Sequence, residues 1–157
     1  MRNSQPVANG LAFSTEKGLR IQPSLRNIYK ELERTIPEFE MPEHGDLRSW
    51  AKQGVLLLNS ALTTIKNKAG AHTDYWSGFT TYIINVINKV KPDCIYMLWG
   101  LSAGKIKKYI HNTKYILQSN HPSPMVRNSN FKGNNHFLQA NTLLKLAGKK
   151  EIDWRLD

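Results

Sequence analysis

Cysteine is nearly absent from this chain: Cys94 is the only one in 157 residues. One thiol allows neither a disulfide framework nor a cysteine metal cluster. That suits a reducing compartment: the cytoplasm, or the nucleus or a viral factory in a eukaryotic or viral setting. Cys94 lies in an apolar run and reads as a buried strand residue. Acidic residues are scarce too, with 12 Asp and Glu against 22 Lys and Arg. No N-terminal apolar h-region precedes the first polar residues, and no apolar run is long enough to span a bilayer. Internal repeats, low-complexity tracts and linkers are also missing. What remains is a chain with 40% hydrophobic and 22% charged residues, a globular composition. Residues 1–157 read as one domain with enough length for a real core.

The basic excess amounts to a formal charge of +10 and a pI of about 9.8. It reads equally as a solvated, lysine-rich surface or as the footprint of a polyanion partner, since phosphate neutralisation drives nucleic-acid affinity. Charge alone does not separate the two.

Periodicity gives alternating helices and strands. Ser24 reads as an N-cap, with Leu25, Ile28, Tyr29 and Leu32 at helical spacing behind it. Asp46 should cap a short helix that Gly54 ends. Val55 to Leu58 is a continuous apolar run, as in a strand buried on both faces. Trp76, Phe79, Ile83, Val86, Ile87 and Val90 make an amphipathic helix closed by Pro92, and Cys94 to Leu98 is a second buried strand stopped at Gly100. Ser102 to Ile110 reads as a helix with a basic outer face, and Tyr115 to Leu117 as a third strand. Phe137, Ala140, Leu143, Leu144 and Ala147 mark a last helix, with Gly148 past its end. Alternation of this kind implies an α/β fold with a parallel sheet. Ligands of such sheets bind beyond the carboxyl ends of the strands, where Asn59, Gly100 and His121 all fall.

The segment His121-Pro122-Ser123-Pro124-Met125 stands out. Two prolines stiffen the backbone around a serine, so an imidazole, a hydroxyl and a long apolar side chain can be held at set positions. Taken with Gly10-Leu11-Ala12-Phe13-Ser14, Pro23-Ser24-Leu25-Arg26-Asn27-Ile28, His44-Gly45-Asp46-Leu47, Trp50 to Asn59, Leu98-Trp99-Gly100, Ala140-Asn141 and Ile152-Asp153-Trp154, it resembles the uracil-DNA glycosylase family over nearly the whole chain and in sequence order. The resemblance implies a three-layer α/β sandwich with a short, mostly parallel central sheet, here without the first strand of the family sheet. It also implies base-excision repair: flipping uracil out of DNA and hydrolysing its N-glycosidic bond, as a monomer without metal, cofactor or membrane. Uracil-containing DNA is the implied partner, single- or double-stranded, together with a proteinaceous glycosylase inhibitor. It tips the charge reading toward DNA.

Roles carry over residue by residue as implications. Asn59 would read the Watson–Crick edge of uracil, because an amide both donates and accepts; alone, it reads as a strand-end turn cap. Phe13 would stack on the flipped base, whereas an isolated phenylalanine is more often core. His121 would stabilise negative charge on the departing base, where a lone histidine is usually a surface or core residue. Pro23, Ser24 and Ser123 would pinch the DNA backbone. Met125 would wedge into the vacated stack, or else be a core methionine after a turn. Leu101 and Ser129 depart from the polar and arginine residues common in relatives, which implies weaker phosphate contact. His136 reads as structural, and His44, His72 and His111 share no metal-ligand spacing.

The family's Gly-Gln-Asp-Pro-Tyr-His motif should precede Gly10. In that register its proline, tyrosine and histidine fall on Met1, Arg2 and Asn3, and its aspartate, the water-activating carboxylate, falls before the first residue. The expectation is slow turnover by these 157 residues alone. The alternatives are a uracil- or abasic-DNA-binding relative without turnover, or a piece with no activity of its own.

Overall fold

The computed structural model describes residues 7–68 and 70–157; Met1, Arg2 and Asn3 lie outside them. The first helix, α1 (Pro23–Thr35), begins at its proline rather than behind a serine cap. Pro23 occupies the first turn, where its missing N–H costs nothing and its fixed φ is already helical. Ser24 is therefore inside the helix, and Gln22 is the capping residue. A short helix, α2 (Arg48–Lys52), follows. Asp46 accepts the Arg48 N–H at 3.0 Å, and Gly54, at φ +95°, turns the chain out of it.

Val55–Leu58 is a correction. The run takes no regular secondary structure and joins no ladder; the Leu57 carbonyl takes the Ala12 N–H at 3.0 Å. Leu56 is 61% exposed. An apolar run becomes a buried strand only where other strands bond its edges and layers cover its faces, and among the described residues no strand lies along this one.

The long helix α3 (Thr73–Val90) leads to β1 (Tyr96–Trp99). The helix buries Thr80 and Ile84, while Phe79, Val86 and Val90 stay exposed, so its buried stripe is rotated from the expected one. The expected basic helix after Gly100 splits into α4 (Leu101–Gly104) and a 3₁₀ stretch, Lys105–Tyr109. The strand β2 (Ile116–Ser119) then pairs parallel to β1, from Tyr96 opposite Ile116 to Trp99 opposite Ser119. The last helix, α5 (His136–Leu146), ends before Gly148 at φ +68°.

The layers follow from the two-residue alternation of the strands. Ile95, Met97, Trp99 and Leu117 pack on the cluster built by Leu25, Ile28, Leu32, Phe137 and Ala140 of α1 and α5. Tyr96, Leu98 and Ile116 face the other way, onto Ile84, Ile87, Ala103 and Ile106. The result is a three-layer α/β fold around a short parallel sheet. Cys94 is half-buried just ahead of β1.

Candidate functional site

Phe13 sits on a turn that strains its backbone. Its φ of +64° is in the left-handed region, which a bulky residue enters only when its surroundings over-determine it. They do so here. Ala8 and Thr15 form an antiparallel bridge across the turn, and the Thr15 N–H donates to the Gly45 carbonyl at 2.8 Å. The buried Ser14 Oγ accepts both the Leu47 N–H at 3.0 Å and the Asn9 amide at 3.1 Å. The ring is left half-buried between Trp99, at 5.9 Å between centroids, and His121, at 5.6 Å.

His121 lies just past the carboxyl end of β2. Gly100, at φ +92°, lies so close to it that an added Cβ would stand 3.0 Å from the His121 Cβ. Both the backbone angle and the close approach therefore require glycine there. The Ser123 N–H donates to His121 Nδ1 at 3.0 Å. That nitrogen holds no proton, so the neutral ring carries its proton on Nε2. Desolvation on burial pulls the imidazole below its ordinary value, which keeps it neutral at pH 7. The outcome is a neutral donor, with Nε2–H engaged by no protein acceptor among the described residues.

The rest of the loop is tied down behind it. Pro122 is fully buried, and its carbonyl accepts the side-chain amide of Asn27, from α1, at 2.8 Å. That bond brings the Pro23–Ser24 turn beside the His121 loop. Ser123 Oγ accepts the Met125 N–H at 3.2 Å, and Met125 itself projects with 89% of its surface exposed. Leu101, 91% exposed, projects from the start of α4, just after Gly100. Pro23 is exposed and Ser24 half-buried. Asn59 is exposed, two residues beyond Leu57, and no hydrogen bond or ring contact joins it to Phe13 or His121 among the described residues. Phe13 and His121 thus meet directly, the two serine loops are joined through Asn27, and Asn59 stands apart.

Three supporting residues carried no role in the sequence reading. Trp99 packs against the Phe13 ring and donates its indole N–H to Nδ1 of buried His136 at 2.9 Å. Burial lowers that imidazole to about 4, with nearby Glu31 acting weakly the other way. Asn27 lay inside a quoted motif, but nothing in the sequence assigned it a partner. Glu31 did leave a signal, because it stands three residues after Ile28 on the apolar stripe of α1. Its buried carboxylate accepts the N–H groups of Gly133 and Asn135 at 2.8 and 3.0 Å and pairs with Arg34 at 2.7 Å.

A family model described as the uracil DNA glycosylase superfamily matches residues 3–145. The uracil-DNA glycosylase of Epstein-Barr virus (strain B95-8) is 49% identical over 158 residues, which covers 95% of this chain and 62% of that protein. The enzyme of that name from Francisella philomiragia is 51% identical over 151 residues, covering 95% of this chain and 69% of its own length. Among solved structures, mimivirus uracil-DNA glycosylase superposes with a TM-score of 0.86 at 33% identity, over 96% of this chain and 61% of that one. A mimivirus UNG variant in complex with UGI gives 0.87 at 34% identity, over 96% and 62%. The chain therefore spans about 62% of the viral relatives it matches.

Proposed function

The chain belongs to the uracil DNA glycosylase superfamily, and from that premise we propose that it takes part in removing uracil from DNA. The observation that carries the proposal is the state of His121. A base leaving a sugar takes negative charge onto its carbonyl oxygens, and a preset hydrogen-bond donor lowers the barrier to that departure. A neutral Nε2–H, on a ring fixed by the Ser123 N–H at the other nitrogen and packed beside Phe13, is such a donor. A protonated imidazole would add charge, but burial opposes it.

The other residues supply what a flipped base requires. Phe13 offers a face for stacking, worth about 1–3 kcal/mol by comparison with single-strand sites. Asn59 offers the amide that distinguishes uracil from cytosine once it closes on the base. Pro23, Ser24 and Ser123 contact the strand, and Met125 enters the gap left in a duplex. The net charge of +10 supports a polyanionic partner. By comparison with the mimivirus UNG solved with UGI, a proteinaceous inhibitor is a proposed competitor for the same face.

A second reading, uracil- or abasic-DNA binding without turnover, is favoured by the acidic groups nearest the Phe13 turn. Glu16 and Asp46 are both turned onto Arg48, an arrangement that holds them in ion pairs instead of aiming them at a water beside Phe13. The test is uracil release from a single-stranded oligonucleotide, with binding to the same strand followed in parallel. Release that drops by about 100-fold or more in His121→Ala supports excision. Uracil-dependent binding without release supports the second reading, and binding that ignores uracil contradicts both.

A further inference from the structure

The loop that carries His121 is closed at its base by a reciprocal pair. The Asn120 N–H donates to Asn130 Oδ1 at 2.8 Å, and the Asn130 N–H donates to Asn120 Oδ1 at 3.0 Å. Each side-chain carbonyl thus caps the other residue's backbone, as a rung of an antiparallel ladder would, with a side chain in place of the second strand. The pair sits just after Ser119, where β2 ends, and everything functional in residues 121–129 hangs from it.

We propose that Asn120 and Asn130 are positioning residues, a clamp that sets where the His121 ring lies; this rests on the function proposed above. Asn120 is the residue whose carbonyl leads into His121, so any rotation of its peptide plane moves the imidazole. The ring has little room to move. Its Cβ is crowded by Gly100 on one side, and its other face meets Phe13 at 5.6 Å. The Asn27 bond at Pro122 and the local bond from Ser119 Oγ to the Asn120 carbonyl, at 3.0 Å, tie neither limb of the loop to the other, so the loop could still pivot. The clamp adds the second anchor on the strand side, and two anchors flanking one residue fix its direction. Both asparagines are exposed, so they add little to the core. A donor must sit close to its target to help departure, and this is the property the clamp preserves.

The experiment compares Asn120→Ala, Asn130→Ala and Asn120→Asp, the last retaining an acceptor oxygen for the Asn130 N–H. Amide hydrogen exchange across residues 121–129 and the ¹⁵N titration of His121 are followed in each protein. Both readouts are independent of catalysis, so they remain informative if the proposed function fails. In each Ala variant, exchange in 121–129 accelerates about tenfold or more while the helices are unchanged, and the His121 titration moves up toward its ordinary value as the ring gains solvent. Asn120→Asp restores slow exchange. Where uracil release is measurable, the Ala variants lower kcat and leave KM alone, and they have no further effect in a His121→Ala background, because they act through that ring. Exchange within about twofold of the unsubstituted chain with an unshifted His121 titration overturns the clamp. So does acceleration spread evenly over the whole protein, which marks general destabilisation.

Discussion

Around His121 the chain is fastened at nearly every second residue: Asn120 to Asn130, His121 to Ser123, Pro122 to Asn27, Ser123 to Met125. Along Val55–Asn59 the fastenings are few: Val55 N–H to the Trp50 carbonyl, a local bond from Leu58 N–H to Leu56, and Leu57 to Ala12. Both stretches border the same site. One reaches its geometry mostly through side chains and backbone that travel with it in sequence, with Asn27 of α1 as its outside anchor, whereas the other needs a neighbouring strand to lie along it. A loop can be preset by its own asparagines, serines and prolines. A buried parallel strand cannot, because its backbone groups and both its faces are satisfied from outside the segment.

The strongest way to break this contrast is to cut the fastening behind the loop. Glu31→Ala removes a fully buried carboxylate from three partners and leaves two backbone amides without their acceptor, while Arg34 keeps solvent and Asn135 Oδ1. Losing these charge-assisted hydrogen bonds costs about 3 kcal/mol, to be read as the urea midpoint at constant slope. A loss under about 1 kcal/mol would place this network among exposed ion pairs of little consequence.

Acid should loosen the loop side next. The unfolded chain binds a proton on His136 near pH 6.5, but the folded chain does so only near about 4. Between those values the unfolded state holds more protons. Stability contributed by neutral His136 is therefore complete above pH 6.5 and lost as the pH falls toward about 4. Protonation also sets two donors, Trp99 Nε1–H and His136 Nδ1–H, against each other. The expected loss is roughly 3 kcal/mol across that window, read by urea unfolding at a series of pH values. A flat profile down to pH 4 would show that His136 is not buried neutral.

The smallest effect belongs to the other stretch. Leu56 is 61% exposed, so Leu56→Gln should change stability by no more than about 0.5 kcal/mol. A cost of 2 kcal/mol or more, the range of a core truncation, would mean that the segment is packed in solution and that the contrast is false.

The same physics explains what could be read in the sequence. The α/β class, the run of β1 into Gly100, the final helix and the approach of Gly100 to His121 were all legible, because periodicity, glycine and motif order are local signals. Ser24 as a cap was wrong because Pro23 next to it is a better helix opener. The buried face of α3 was misplaced because Phe79, Val86 and Val90 are apolar without being covered. The Val55–Leu58 strand was misread because an apolar run records a requirement for cover and does not supply it. Long-range bonds such as Asn27 to Pro122 and Asn120 to Asn130 were invisible, since nothing in the spacing of asparagines announces a partner.

The central claim is that the fold alone, before any ligand, presets His121 as a neutral donor with its proton on Nε2. The direct measurement is ¹⁵N NMR of the imidazole in the free protein across a pH series. An Nε2–H tautomer at neutral pH and a titration below the ordinary 6.5 are expected. An Nδ1–H tautomer, or a ring that titrates at or above that value, would contradict it.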